Sequence, residues 1–81
     1  MTPEKQREFI GICNALTKSN DDFSTAFGRC NTGWFVIVRL KCHYRYTSYT
    51  DVSEDISETD FVKVIHKSYK ELVAKYDLGT L

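Results

Sequence analysis

The sequence predicts an α+β fold: one small domain over residues 1–81, element order α-β-β-β-α, with two helices packed on one face of a three-stranded antiparallel sheet. Three observations carry this. Apolar residues recur at three-and-four spacing near both ends of the chain, they alternate with period two through its middle, and 81 residues supply material for one core.

The first helix opens at Thr2-Pro3-Glu4, a hydroxyl N-cap followed by a proline whose missing N–H is harmless there and an acid at the positive end of the dipole. Phe9, Ile12, Cys13 and Leu16 then share one helical face, which predicts a helix over Pro3–Lys18 with SNDD at 19–22 as its exit. In Phe23–Cys30, Phe23, Thr25 and Phe27 alternate with the small residues Ser24, Ala26 and Gly28, a strand pattern. Asn31-Thr32-Gly33 follows with hairpin chemistry, since Asn and Gly tolerate positive φ.

From Trp34 the alternation strengthens. Trp34, Val36, Val38, Leu40, Cys42, Tyr44 and Tyr46 fall on one side, and Phe35, Ile37, Arg39, Lys41, His43 and Arg45 on the other. An unbroken strand over 34–52 would span roughly 60 Å at about 3.3 Å per residue, longer than a domain of this size holds. The chain must therefore turn, either near 41–43 or within 47–51, and neither place carries Gly, Pro or Asn. The acidic and hydroxyl-rich segment at 51–60 leads into the last helix, with Ser57 and Asp60 spaced as in a capping box. Phe61, Val62, Ile65, Tyr69, Leu72, Val73 and Tyr76 form its apolar stripe, Lys63, Lys67, Lys70 and Lys75 lie largely outside it, and Gly79 is placed as the stop. His66 is expected at the flank of the stripe.

If the helices cover the Trp34 side, the other side is the open face. It presents a row of cations and a titratable ring, Arg39, Lys41, His43 and Arg45, preceded by Phe35 and Ile37, which do not suit a wholly wet surface. The candidate binding surface is that row together with Tyr44, Tyr46 and Tyr49 and the acids Asp51, Glu54 and Asp55. Tyr and Arg are the preferred composition of interface hot spots. Cations beside acids at zero net charge give a dipolar pattern suited to oriented protein docking.

Other chemistries lack their signatures. Cys13, Cys30 and Cys42 form an odd set with no close pair, so the sequence predicts reduced thiols serving as core fillers or partly buried strand residues, and no metal site. There is no Gly-rich phosphate loop, paired-carboxylate motif or nucleophile elbow, which argues against an enzyme and against a cofactor. No segment reads as a signal peptide or membrane span, so a cytoplasmic protein is expected.

The element order resembles that of double-stranded-RNA-binding domains in topology alone. Those domains carry lysines at the start of the last helix, where this chain has SETD at 57–60. In kind, the small size, absence of catalytic motifs and segregated charge resemble accessory proteins of bacteriophages and mobile elements, including anti-CRISPR inhibitors. That resemblance implies an inhibitor or adaptor that occludes a partner protein's surface. Two further readings stand beside it: a nucleic-acid-binding module using the strand stripe 39–45, and a homodimer joined through Phe35 and Ile37.

Overall fold

The computed structural model describes residues 1–18, 22–41 and 46–77. In chain order the elements are α1 (Pro3–Lys18), β1 (Phe23–Cys30), β2 (Gly33–Leu40), β3 (Tyr46–Val52) and α2 (Glu58–Tyr76), the predicted α-β-β-β-α order. The strands form one antiparallel sheet with β2 in the centre.

Local chemistry sets most boundaries. The Thr2 hydroxyl accepts from the Lys5 N–H at 3.2 Å and starts α1. Ser57 caps α2 in the same way, accepting from the Asp60 N–H at 3.1 Å. At its far end α2 stops at Asp77, whose φ of 52° is left-handed and whose N–H donates to the Val73 carbonyl. The predicted stop, Gly79, lies outside the described residues. The first hairpin turns through Asn31 and Thr32 and places its positive φ, 134°, on Gly33. The second turn falls at the earlier of the two expected places: β2 ends at Leu40 and Lys41 takes a left-handed φ of 70°. The Lys41 N–H is held there by the Asp22 carbonyl at 2.7 Å, so a long-range hydrogen bond supplies what a turn residue would otherwise provide.

Both helices pack on the same side of the sheet. Phe27, on that side of β1, meets Phe9 of α1 edge-on at 5.4 Å and Phe61 of α2 edge-on at 5.5 Å. Phe9 and Phe61 stack on each other at 4.1 Å. Trp34, Val36, Val38 and Leu40 complete the floor of the core, with Cys13, Ile65, Leu72 and Val52 around them. Two polar pairs sit within this layer. The Thr50 and Ser68 hydroxyls are 3.1 Å apart between β3 and α2. The Thr17 hydroxyl accepts from the Thr25 N–H at 3.1 Å and donates to the Thr25 carbonyl at 3.3 Å, closing part of the β1 edge that would otherwise invite another strand. No helix among the described residues is long and apolar enough to cross a membrane.

Candidate functional site

With both helices on one side, the opposite side of the sheet is built by Ser24, Ala26, Gly28 and Cys30 of β1, Phe35, Ile37 and Arg39 of β2, and Thr47, Tyr49 and Asp51 of β3. The register sets these residues in cross-strand rows. Gly28, Phe35 and Asp51 form one row, Ala26, Ile37 and Tyr49 the next, and Ser24, Arg39 and Thr47 the third. The middle of the face is therefore apolar and aromatic, with Arg39 toward one end and Asp51 toward the other.

Gly28 decides how the face is shaped. A Cβ there would lie 2.7 Å from Cζ of Phe35, so the ring rests against the glycine in space that no other residue would leave. Tyr49 stacks against Phe35 with ring centres 5.2 Å apart and planes 25° off parallel. Its hydroxyl reaches 3.4 Å from the Cys30 Sγ, and the Thr32 hydroxyl lies 3.1 Å from the same sulfur. Phe35 and Ile37 are thereby half-covered, while Tyr49 is 51% exposed.

These contacts set the ionisation of the pair. O–H donation from Thr32, then from Tyr49, stabilises the thiolate and lowers Cys30 from the ordinary 9.0 to about 7. The same contact with Cys30, followed by desolvation and the neighbouring Asp51, pushes the Tyr49 phenol upward. Cys13 moves the other way: burial raises it, against the hydrogen bond from Thr25. Alkylation by iodoacetamide at neutral pH should therefore modify Cys30 and spare Cys13, its rate climbing as pH passes through about 7. Tyr49→Phe removes one of the two side-chain donors, and the rate at pH 7 should fall about threefold or more as the thiol moves back toward its ordinary value. An unchanged rate profile in that variant would show that the hydroxyl does not act on the sulfur.

The structure sorts the predicted site residues into three groups. Tyr49, Arg39 and Asp51 stand on the open face, although Asp51 belongs to β3 and not to an acidic loop. Tyr46 does not: it pairs with Leu40 on the covered side and its ring packs 4.5 Å from Tyr76, so it closes the edge of the core. Glu54 accepts from the Trp34 indole N–H at 3.4 Å and lies 3.6 Å from the Met1 amino nitrogen, which makes it a fastener of the β3–α2 connection. Asp55 is exposed in that connection. His43, Tyr44 and Arg45 lie outside the described residues, as does Cys42. Of the described members of the cation row, Arg39 stands within β2, and Lys41 follows the end of that strand with a left-handed φ.

The cysteine expectation needs correction. Cys30 is exposed and not a core filler, because the register puts it in phase with Ala26 and Gly28 on the side of the sheet that both helices leave open. His66 lies at the flank of the α2 stripe, next to Val73 around the helix, and is exposed beside the lysines of the outer side. The apposition of Cys30 with Tyr49 had no local signal, since it joins the two outer strands across β2. The chain is a small α+β domain with an open sheet face. No family model, curated protein or solved structure matches it.

Proposed function

We propose that this chain is a small non-enzymatic protein-binding module, an inhibitor or adaptor that seats a partner protein on the open sheet face. The carrying observation is that Phe35, Ile37 and Tyr49 stand together on the side both helices leave open, where a merely solvated sheet would carry polar residues. A rigid, half-exposed tyrosine braced by a second ring is the kind of anchor that dominates interface energetics. Arg39 and Asp51 at opposite ends give the face a direction, so a partner with an apolar centre and an acid toward the Arg39 end fits in one orientation. Small accessory proteins of bacteriophages and mobile elements, anti-CRISPR inhibitors among them, act by such surface occlusion, and this chain is placed with them by type.

A second reading has its own observation: an exposed Tyr49 ring on the same face as Arg39 is also how single-stranded nucleic acid is held. The geometry favours it less. Phe35 rests on Gly28 and against Tyr49, which leaves one well-exposed ring, and Asp51 would face the phosphates.

The test is a tagged pull-down from bacterial lysate with and without nuclease, using the native chain and Ile37→Asp, with circular dichroism to establish that both fold. A stoichiometric protein that survives nuclease and is lost from the variant supports the module. Nucleic acid, or proteins that vanish after nuclease, would transfer the face to the second reading. Sedimentation at twice the monomer mass, abolished by Ile37→Asp, would assign the face to a second copy of the chain.

A further inference from the structure

The outer side of α2 carries a separate surface. At 3.6 residues per turn the buried stripe Phe61, Ile65, Ser68 and Leu72 points into the core, and Lys63, Lys67, Lys70 and Ala74 fall within about 60° of one another on the opposite side. His66 lies beside them, and all five are exposed. Together with Glu71 they line one shallow surface groove. Asp60 and Glu71 flank the row on one edge only. Among the described residues, no ion pair engages the three ammonium groups. Because α2 lies on the covered side of the sheet, this row faces away from Phe35 and Tyr49.

We infer that Lys63, Lys67 and Lys70 form a docking row for the phosphodiester backbone of a nucleic acid. Composition selects this partner over a protein. Interfaces between proteins are depleted in lysine and anchored by Tyr, Trp or Arg, and the row contains none of those, its one small apolar member being Ala74. A lysine is a flexible point charge, suited to phosphates that are contacted without being read. Spacing agrees: Lys63 to Lys70 covers about 10 Å of helix axis at 1.5 Å per residue, and about three phosphates of one duplex strand fall in that length at 3.4 Å each. An anionic membrane is the weaker match, because the apolar side of α2 is spent in the core and nothing in the row would insert into lipid. With zero net charge on the chain the attraction is local, so binding is sequence-independent and steeply salt-sensitive.

The inference does not rest on the sheet-face reading. If both hold, the molecule is an adaptor, with a protein on one side and nucleic acid on the other. Fluorescence anisotropy with an end-labelled mixed-sequence duplex, titrated from low to moderate KCl, tests it. Three neutralised phosphates predict a slope of log affinity on log salt of about −2.7, a loss of about 40-fold between 50 and 200 mM. Lys63→Gln, Lys67→Gln and Lys70→Gln together should lower affinity at least tenfold at 50 mM and flatten the slope, as the contacts that release counterions are removed. Glutamine is a good helix former at exposed sites, so melting curves should show the variant folded. Removing three cations elsewhere, with Arg7→Gln, Lys18→Gln and Lys75→Gln, should leave the slope in place. Absence of saturable binding at low salt, or a row variant that keeps both affinity and slope, overturns the inference. Binding confined to vesicles containing phosphatidylserine also overturns it and makes the row a lipid surface.

Discussion

Phe61→Ala should remove most of the protein's stability at room temperature. The Phe61 ring is 0% exposed, stacked on Phe9 at 4.1 Å with planes 5° apart and set edge-on to Phe27 at 5.5 Å. It therefore joins α2 to α1 and to the sheet at one point. Truncating such a ring costs about 3–5 kcal/mol, as lost transfer energy and an unfilled cavity. A domain has only about 5–15 kcal/mol in all, and small ones lie toward the lower end. Urea unfolding followed by far-UV circular dichroism should show a midpoint close to zero denaturant. Ile10→Ala, at an exposed position of α1, should stay within about 0.5 kcal/mol of the native chain. A Phe61→Ala protein that melts cooperatively within a few degrees of the native one would mean that the Phe9, Phe27 and Phe61 rings are not the keystone of this core.

That core was legible because its signals are local. A hydroxyl cap and a proline mark the start of α1, small residues alternate with Phe along β1, and the α2 stripe repeats at helical spacing, so these elements lie where the pattern puts them. The turn after β2 was not legible to the same degree. Lys41 has no preference for a left-handed φ and adopts it because the Asp22 carbonyl, nineteen positions earlier in the chain, holds its N–H. Asp77 ends α2 in the same conformation, again with no glycine to announce it.

The same limit governs the site. Parity along one strand put Phe35, Ile37 and Arg39 on the open face, and it put Tyr49 with them, because both follow from period two. That parity is followed by the described chain as far as Leu40, where β2 ends. Parity also put Tyr46 on the covered side, where the register sets it opposite Leu40; what composition alone did not show is that its ring is taken up by Tyr76 and so is no contact residue of the open face. Cys30, Phe35 and Tyr49 come from three different strands, so their contact depends on two registers at once. The lysine row of α2 was present in the sequence as the polar side of a helix; it became a surface once the buried stripe opposite it was established.

Gly28→Ala separates fold from function on the open face. The added methyl would stand 2.7 Å from Cζ of Phe35 and 3.2 and 3.3 Å from its Cε atoms, closer than real contacts allow, so the ring must leave its seat. The ring is the flexible partner in that clash and lies on the side away from the core, so the helix-covered layer is untouched. Replacing a strand glycine with alanine also recovers about 0.5–1 kcal/mol of backbone entropy, which offsets part of the cost of moving Phe35. Stability should thus change by about 1 kcal/mol or less, a shift of roughly 4–8 °C in Tm at most for a domain of this size. Binding has no such compensation. Phe35 braces Tyr49, and displacing it removes the stack that holds the exposed ring in place. Losing a hot-spot anchor costs about 2 kcal/mol or more, so the partner captured in the pull-down should bind at least about 30-fold more weakly, measured by calorimetry or surface plasmon resonance. Tyr49→Ala should reproduce that loss by removing the anchor itself. If Gly28→Ala and Tyr49→Ala both fold and both bind as tightly as the native chain, the open face is not the working surface. If Gly28→Ala alone retains affinity, Tyr49 engages its partner without the brace, and the contribution of Phe35 is confined to filling the space above the glycine.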